Sequence, residues 1–493
     1  MMSLPAVLRT RPSWLSPRVL RTEVLSGLVV ALALIPEAIS FSIIAGVDPR
    51  VGLFASFTMA VTISLVGGRR AMISAATGAI ALVVAPVAQQ HGVEYLVATV
   101  ILGGLFQATL GVLGVARLMR FLPRSVMVGF VNALAILIFT AQLPYLTDVP
   151  WSVYALVTVG LALMVGLPRL TTAIPAPLVS IVALTAFTVA AGIAVPTVGD
   201  QGDLPNTLPM LGIPAVPMTF ETLRIIAPFA LALALVGLME SLMTAKLVDG
   251  LTDTHSNKTR ESWGQGVANI VTGFFGGMGG CAMIGQTMIN VKSGARTRLS
   301  TFLAGVFLLV LVLALGDIVA LIPMAALVAV MVMVAVGTVD WHSLHPRTLR
   351  RMPKSETTVM LATVAVTVFT HNLAIGVVVG VMVALVLFAH RVAHLVNVDS
   401  VLDPDGNTKI YRVTGQLFFA SSNDLVFQFD YAGDPDNVVI DLSGAHIWDA
   451  STVASLDAIE TKYHQRGITV SITGMNEPSK QRHAALAGNF GSH

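Results

Sequence analysis

Two stretches of sequence decide the fold: GGRRAMISAATGAIALVVA at residues 67–85 and GGCAMIGQTMINVKSGA at residues 279–295. In each, a Gly-Gly pair leads to Ala-Met-Ile, and a threonine follows a few residues later. A second repeated pattern is Ala-Leu-Ala-Leu followed by a glutamate, which is Glu37 in one copy and Glu240 in the other. In both patterns the two copies are about 200–210 residues apart. Together the matches predict that the chain consists of two related halves.

The composition around these stretches is that of a membrane protein. Of the 493 residues, 55% are hydrophobic and only 11% are charged, whereas an ordinary soluble domain carries about 25% charged residues. So few charges cannot cover the surface of a soluble protein of this size, and disordered or collagen-like chains have the opposite composition. The composition therefore excludes a soluble enzyme and indicates a chain that crosses the membrane several times.

Apolar runs of the length that a helix needs to cross a bilayer follow one another from Glu23 to Leu395. With residues 1–22 as a cytoplasmic N-terminus, 21 of the 29 basic residues fall on the inner side, and only Arg50 and Arg224 lie on or near the outer side. The positive-inside rule expects this asymmetry, which predicts a multi-pass protein of the cell inner (cytoplasmic) membrane. We predict fourteen membrane helices, at residues 23–44, 50–66, 72–90, 94–115, 123–141, 150–167, 174–194, 223–246, 261–276, 282–293, 299–316, 321–338, 356–370 and 373–391.

The C-terminal part of the chain, residues 399–493, has a different pattern in which charged residues return. Strands are predicted for KIYRVTGQLFFAS (409–421), NVVIDLSGAHIWD (437–449) and ITVSITG (468–474), and an amphipathic helix for residues 451–467. Strands that alternate with helices predict a small α/β domain. An even number of crossings places this domain in the cytoplasm.

Seven helices in each half is an odd number, which requires the second half to be inverted in the membrane. Inverted repeats are typical of secondary transporters, whose substrate site lies near the midplane between the halves. The segments 72–90 and 282–293 begin with small residues and glycine, so we predict that each is a half-helix with an extended lead-in. A helix N-terminus offers unpaired N–H groups and a partial positive charge, and two of them at the midplane would suit an anion.

The residues at these two N-termini are predicted to frame the substrate pocket. The alternative is that the small residues only allow the helices to pack closely, and spacing alone does not decide between the two. Cys281, the single cysteine, is expected to fill space between helices. The predicted pocket residues are Ala76, Thr77, Gly78, Gly285, Gln286 and Thr287.

Ionisable residues inside a membrane are costly, and each is a functional candidate. Glu37 follows Pro36, which interrupts the hydrogen bonds of the first helix beside the carboxylate. Glu240 has Thr244 one turn further along the same helix face, and a carboxylate with a hydroxyl suits Na⁺ or an exchangeable proton. All three are predicted to bind a co-transported ion. The alternatives are a carboxylate near a helix end for Glu37 and an interhelical hydrogen bond for Glu240 and Thr244.

Motifs of other functional classes are absent from the sequence. It contains no Walker A motif for ATP-driven transport and no HExxH, paired CxxC or GxSxG motif of an enzyme. We therefore predict no enzymatic activity and no cofactor beyond a co-transported H⁺ or Na⁺. The basic run HSLHPRTLRRMPK (342–354) is predicted to be a cytoplasmic loop near lipid head groups instead of a nucleic-acid site.

Three stretches, in this order, resemble the sulfate permease (SulP) family of anion transporters. LIPEAISFSIIAGVDPRVGLFASF (34–57) resembles the family's first-helix signature, residues 240–300 resemble its most specific stretch, and VVIDLSGAHIWDASTVASLDAI (438–459) is similar to its STAS domain. The resemblance covers nearly the whole chain. It implies a seven-plus-seven inverted-repeat fold shared with uracil permeases, with core and gate subdomains in a membrane domain at 23–395. It also implies a homodimer.

The resemblance further implies where the substrate and the coupling ion bind. Substrate is implied to lie between the third and tenth segments, one from each half of the repeat (about 23–194 and 223–391), while the core moves like an elevator against the gate. Sodium-coupled members use an acidic residue and a threonine one turn later in the eighth helix, which match Glu240 and Thr244. Proton-coupled members use a first-helix glutamate, which matches Glu37.

Two positions modify these expectations. Many family members have arginine immediately before the tenth-segment threonine, where this chain has Gln286, so we expect a less highly charged anion or altered coupling. In the STAS domain, Ser451 falls where related anti-sigma-factor antagonists carry a phosphorylatable serine. Helix capping by Ser451 or Asp449 would explain the same residues.

The sequence as a whole predicts a secondary anion transporter that takes up bicarbonate, sulfate or a small carboxylate with H⁺ or Na⁺ by alternating access. Three alternatives remain: a nucleobase permease of the same fold, an anion channel, and an anion-sensing scaffold that signals to a cytoplasmic partner through its STAS domain. Competition by uracil, conductance far above transporter turnover, and flux after deletion of the STAS domain distinguish them.

Overall fold

The structure, a computed structural model, describes residues 16–114, 122–170, 175–393 and 396–487. Most of the predicted cytoplasmic N-terminus and the last six residues of the predicted C-terminal domain therefore lie outside the described residues. The chain divides into two compact units between Val381 and Met382. Each unit is described by itself.

Sixteen α-helices precede residue 396 within the described part of the chain. They are α1 Pro17–Ala45, α2 Pro49–Val66, α3 Gly78–His91, α4 Val93–Val112, α5 Arg124–Thr140, α6 Trp151–Leu170, α7 Ala176–Ala191, α8 Phe220–Thr252, α9 Lys258–Phe274, α10 Ile284–Lys292, α11 Leu299–Ala320, α12 Met324–Thr338, α13 Trp341–Leu344, α14 Pro346–Arg351, α15 Lys354–Thr370 and α16 Leu373–Ala393. Each of the fourteen predicted segments overlaps one of these helices.

Eight helices of the described residues are long and apolar enough to cross a membrane, namely α1, α2, α4, α5 with the turn after it, α6, α8, α11 and α16. The apolar helices α7 and α12 have only 16 and 15 residues. The short helices α3 and α10 have 14 and 9 residues, and at about 1.5 Å per residue neither reaches across a hydrocarbon core of about 30 Å. Of the fourteen predicted membrane helices, eight are therefore long and apolar enough in the structure to cross a membrane.

The predicted loop at 342–354 contains two short helices, α13 and α14, which is a correction. Side chains that cap the helix N-termini explain both. Asp340 accepts a hydrogen bond from the Ser343 N–H at 3.3 Å, and His345 accepts one from the Arg347 N–H at 3.2 Å. Such caps satisfy the free N–H groups of a first turn, and hydropathy alone does not reveal them.

The lead-ins to α3 and α10 are extended, as expected, and they also pair with each other, which was not predicted. Strand β1 (Ser74–Ala75) is antiparallel to β2 (Cys281–Ala282). The Met283 N–H donates to the carbonyl of Ile73 at 2.9 Å and continues the pairing. Residues from the two halves of the chain thus share one small sheet, and α3 and α10 both begin at it.

Close helix crossings surround this sheet. Glycines make the approach of α4 to α9 close, because a Cβ on Gly104 would lie 2.6 Å from the carbonyl oxygen of Gly266. Small residues at a crossing let two backbones approach in a membrane. The crossing brings the polar face of α9 against the lead-ins, where its side chains hold the candidate site.

The second unit contains a four-stranded sheet, in the order β3-β4-β5-β6. Its strands are β3 Asn397–Leu402, β4 Thr408–Leu417, β5 Asn437–Ile447 and β6 Thr469–Thr473, and its helices are α17 Phe419–Leu425, α18 Ala450–His464 and α19 Glu477–Leu486. β3 is antiparallel to β4, whereas β4, β5 and β6 are parallel. This is the predicted α/β domain with additions.

Three elements of this unit differ from the prediction. The strand predicted at 409–421 ends at Leu417, because Phe419 already begins α17. The edge strand β3 was not predicted, since most of its residues are exposed and carry no alternating hydrophobic pattern. The helix α19 was also not predicted. Its start is capped by Asn476, which accepts a hydrogen bond from the Ser479 N–H at 3.0 Å.

Candidate functional site

A cavity of about 690 Å³ lies inside the membrane unit. It is lined by residues of α1, α3, α5, α8, α10 and α12 and by Asp340. Of the six predicted pocket residues, Thr77, Gly78, Gly285 and Gln286 line the cavity. The structure therefore brings the starts of α3 and α10 to one space, as the half-helix prediction required.

The N-termini of α3 and α10 present free backbone N–H groups at this cavity. Thr77 is the N-cap of α3, and its hydroxyl accepts a hydrogen bond from Ile80 at 3.3 Å. The N–H groups of Gly78 and Ala79 have no acceptor within the described residues, and both residues line the cavity. At the start of α10, Met283 provides no side-chain cap. The N–H groups that follow it are likewise free in the described part of the chain.

The described ionisable side chains that line the cavity are all acidic. Glu37, Glu240 and Asp340 line it, and none of its described lining residues is lysine, arginine or histidine. Positive potential in the cavity therefore comes from the two helix N-termini, each equivalent to about half an elementary charge. An anion can bind here only where N–H groups and helix dipoles outweigh the carboxylates.

Gln286 lies where the two halves of the chain share the cavity. It is the third residue of α10, its side chain is buried, and it lines the cavity together with Glu37 of α1. The residue that replaces the expected arginine is therefore a neutral side chain on the same cavity surface as Glu37. No fixed positive charge stands beside the start of α10 among the described lining residues.

A chain of polar groups connects Glu240 to the start of α3. The thiol of Cys281 donates to Glu240 Oε2 at 2.9 Å, and Thr77 Oγ1 lies 3.1 Å from the same sulfur. Cys281 is fully buried, as expected of a packing residue. It is also a polar link between a cavity carboxylate and the N-cap of α3, and the sequence reasoning missed this role.

Three predicted residues lie behind the cavity instead of on its surface. The Thr244 hydroxyl donates to the main-chain carbonyl of Glu240 at 2.8 Å. The Thr287 hydroxyl accepts from the Ile73 N–H at 2.9 Å, and the Ala76 N–H donates to the hydroxyl of Ser56 at 3.3 Å. Thr244 is fully buried and does not line the cavity, so Glu240 is the member of that pair that a cavity ion meets first. Groups of three or more potential metal ligands are absent from the described residues.

A row of buried polar residues on α9 holds both lead-ins, and sequence reasoning missed it. Its members share one helix face: Glu261, Gln265, Asn269 and Thr272. Glu261 accepts from the Gly68 N–H at 2.7 Å, and Gln265 donates to the Ser74 hydroxyl at 2.7 Å. The signal for this row was present as polar residues at three- and four-residue spacing in a membrane helix.

Asn269 holds the second lead-in by a pair of hydrogen bonds. Its amide oxygen accepts from the Gly280 N–H at 2.8 Å, and its amide nitrogen donates to the Gly280 carbonyl at 3.0 Å. The same nitrogen also donates to the side-chain oxygen of Gln107 at 2.8 Å. One side chain thus satisfies the main chain immediately before β2.

Asn269→Ala is expected to destabilise the protein by about 3 kcal/mol, because it leaves buried polar groups of Gly280 and Gln107 without partners at about 1–3 kcal/mol each. Thermal unfolding of the detergent-solubilised protein measures this loss. Asn206→Ala serves as the control, since Asn206 is exposed. Equal unfolding temperatures for the two variants would show that Asn269 does not hold the lead-in.

The predicted phosphorylation site lies at the start of α18 in the second unit. The N-cap is Asp449, whose carboxylate accepts from the Thr452 N–H at 3.1 Å. Ser451 is exposed in the first turn. Of the two capping alternatives, the structure therefore selects Asp449, and the Ser451 hydroxyl is left open to solvent.

Comparisons with known proteins identify the family. A profile of the sulfate permease family matches residues 20–164 and 150–363, and a profile of the STAS domain matches residues 401–490. YbaR of Bacillus subtilis (strain 168), which is named as a sulfate transporter, is 53% identical over 461 residues, covering 94% of this chain and 96% of YbaR. The predicted resemblance is confirmed over both units.

Two solved structures share the fold. The transmembrane domain of a cyanobacterial bicarbonate transporter, BicA, aligns with a TM-score of 0.66 and 25% identity, covering 73% of this chain and 97% of that domain. Murine Solute Carrier 26 family member A9, an anion transporter in the inward-facing state, aligns with a TM-score of 0.81 at 17% identity, covering 96% of this chain and 89% of that one. The chain therefore belongs to the sulfate permease family, a family of transporters and not of enzymes, and is a multi-pass membrane protein with a C-terminal STAS domain.

Proposed function

We propose that this protein is a secondary active transporter that moves a small anion across the membrane together with H⁺ or Na⁺. The observation that carries the proposal is the meeting of two helix N-termini, with free N–H groups at Gly78 and Gly285, in one membrane cavity. Free N–H groups and the helix dipole bind anions without a basic side chain. Hydrogen bonds of Ala76, Thr77 and Thr287 hold these two N-termini in place, and Gln286 lines the cavity beside them.

The carboxylates of the same cavity explain why an anion would need a companion ion. Glu37 and Glu240 face the space in which the anion binds. Negative charges in the same poorly solvated cavity repel one another strongly. A proton or Na⁺ bound at Glu240, with Glu37 as a second position, removes that repulsion. Binding of the anion and of the cation is then coupled, which is the requirement for accumulation against a gradient.

Thr244 has a supporting role in this proposal. Its hydroxyl donates to the carbonyl of Glu240, which leaves its lone pairs as acceptors for a Na⁺ that approaches from the Glu240 side. Oxygen ligands from a carboxylate and a hydroxyl suit such a hard cation. A proton needs only the carboxylate. Removal of the Thr244 hydroxyl should therefore weaken coupling to Na⁺ and leave coupling to H⁺ unchanged, which distinguishes the two ions.

The substrate class follows from the charge of the site. Two helix N-termini supply about one positive charge in total, and Gln286 adds none. A monovalent anion such as bicarbonate or a small carboxylate is favoured over divalent sulfate at such a site. The name of YbaR points to sulfate and that of BicA to bicarbonate, so both belong among the substrates to be tested.

The transport mechanism that we propose is alternating access by an elevator movement. α1, α3, α8 and α10 belong to the core of a seven-plus-seven inverted repeat, and α5 and α12 belong to the gate. The lead-ins are fixed to α9, so the anion moves with the core. We infer a homodimer in the cytoplasmic membrane, with the N-terminus and the STAS domain in the cytoplasm and Ser451 as a modification site for a cytoplasmic partner.

Uptake by proteoliposomes tests the proposal. Radiolabelled bicarbonate, sulfate and fumarate are offered under an imposed proton gradient, an imposed sodium gradient, or neither, with protein-free liposomes as the control. We expect accumulation of one of these anions above its equilibrium distribution under one gradient. Uptake that never exceeds equilibrium would contradict coupled transport, and competition by uracil would contradict an anion as the substrate.

A further inference from the structure

A second cavity, of about 430 Å³, lies at one end of the membrane unit. It is enclosed by the segment between α2 and β1, the end of α8, the start of α9 and the segment between α10 and α11. The positive-inside rule assigns these segments to the cytoplasmic side. Five arginines line the cavity and none of its described lining residues is acidic; the arginines are Arg69, Arg70, Arg260, Arg296 and Arg298.

Three of these arginines donate to main-chain carbonyls, which do not cancel their charge. Arg260 donates to Val66 at 2.9 Å, and Arg298 donates to Ser64 at 2.8 Å. Arg296 donates to a carbonyl at the end of α10 at 2.7 Å. These bonds fix the guanidinium groups in place, and the carboxylate of Glu261 offsets part of the charge of Arg298.

Arg69 is the arginine of this cluster with a carboxylate partner in the described chain. Its guanidinium lies 3.0 Å from Asp249, and Asp249 is shared with Lys258 at 2.6 Å. The Arg69 side chain is only 7% exposed, and its Nε has no acceptor among the described residues. The nearby Glu261 is occupied by main-chain N–H groups, so the basic residues around this cavity outnumber the acidic ones.

Arg70 has no partner at all within the described part of the chain, and it is exposed at the cavity. Burial lowers the pKa of Arg298, and the guanidinium groups of Arg260 and Arg70 lower it further, whereas the carboxylate of Glu261 raises it. Positive groups held this close repel one another. The five arginines outnumber the neighbouring carboxylates Asp249 and Glu261, so an excess of positive charge is available to a multivalent anion.

We propose that this cavity is a binding site for a phosphate group, separate from the transport cavity. Guanidinium groups match the geometry of phosphate oxygens with paired hydrogen bonds, and 430 Å³ exceeds the volume of one phosphate group. The transport cavity has no basic lining residue among those described. The two sites therefore select different anions.

Two sources can supply this chemistry at the cytoplasmic surface of a membrane. One is the head group of an anionic phospholipid, which basic pockets between membrane helices bind. The other is a soluble phosphate. In both cases the ligand connects the segment before β1, which carries Arg69 and Arg70, to the segment after α10, which carries Arg296. Its binding stabilises the region around the lead-ins.

Thermal unfolding of the full-length protein tests the site with two probes. Inorganic phosphate is added to the protein in detergent, with sodium chloride at matched ionic strength as the reference. Separately, the protein is placed in phosphatidylcholine nanodiscs with or without phosphatidylglycerol. We expect a rise in the unfolding temperature in at least one arm. A rise with phosphate identifies a soluble ligand, and a rise with phosphatidylglycerol alone identifies a lipid head group.

Arg70→Gln is the decisive variant, because Arg70 is exposed and its loss breaks no contact within the described chain. Loss of a charge-assisted hydrogen bond is expected to raise the ligand concentration for half-maximal stabilisation about tenfold. Arg70→Lys should be intermediate, because it keeps the charge without the paired donors. Arg350→Gln, which removes an exposed arginine of α14, should behave as the wild type. An Arg70→Gln response equal to that of Arg350→Gln, or no stabilisation by either probe, overturns the proposal.

Discussion

Glu240→Gln is expected to abolish ion-driven accumulation of the anion in proteoliposomes while the protein remains folded. Glutamine has the shape of glutamate and can still accept from the Cys281 thiol, which lies 2.9 Å from Oε2. It cannot take up a proton, and without its charge it attracts Na⁺ much less. Uptake should therefore stop at the equilibrium distribution under either gradient. Radiolabelled uptake under imposed proton and sodium gradients measures the effect.

The control for this experiment is Glu356→Gln. Glu356 lies in the first turn of α15, is exposed, and does not line the cavity. The variant changes the net charge by the same amount and should accumulate the anion as the wild type does. If Glu240→Gln also accumulates the anion as the wild type does, Glu240 is not the coupling residue. Glu37→Gln is then the next variant to test.

Gly285→Leu is expected to reduce the apparent affinity for the anion by at least about 100-fold without loss of stability. A Cβ at Gly285 meets no atom within 4 Å, and the residue is exposed to the cavity at the start of α10. The leucine side chain would therefore occupy the space in front of the free N–H groups. Two hydrogen bonds to a charged ligand are lost, at about 1.5–3 kcal/mol each.

A glycine elsewhere provides the matched control for this variant. A Cβ at Gly250, near the end of α8, also meets nothing within 4 Å, and Gly250 is exposed. Both substitutions replace a helical glycine by leucine. This replacement by itself stabilises a helix by up to about 1 kcal/mol. Gly250→Leu should transport normally, and both variants should unfold at or above the temperature of the wild type. Normal transport by Gly285→Leu would place the anion elsewhere.

The repeated Gly-Gly and Ala-Met-Ile pattern was sufficient to predict that two short helices meet with extended lead-ins. It was not sufficient to align the two halves. The sequence match pairs Thr77 with Thr287, but Thr77 is the N-cap of α3 whereas Met283 holds that position in α10. Thr287 lies inside α10 and bonds to Ile73. Short matches in small-residue sequence tolerate a shift of several residues, and only the strand pairing fixes the register.

The cavity carboxylates were predictable because an ionisable residue within a membrane is costly and is therefore a functional candidate. Their hydrogen-bond partners were not predictable, since these bonds join segments that are far apart in the sequence. The Cys281 thiol, for example, reaches the carboxylate of Glu240. Thr244 was expected to stand beside the carboxylate of Glu240, but a threonine in a helix can bond the carbonyl four residues earlier, as Thr244 does.

The pairing of β1 with β2 means that neither half of the chain can build the anion site alone. Each half supplies one strand and one row of N–H groups, the first half adds Glu37, and the second half adds Glu240 and Asp340. A gene cut in the loop between α7 and α8 would therefore encode two incomplete fragments. Activity from such fragments should return only when both are synthesised in the same cell and associate. An ancestral single-half protein would have needed a second molecule, inserted in the opposite orientation, to be functional.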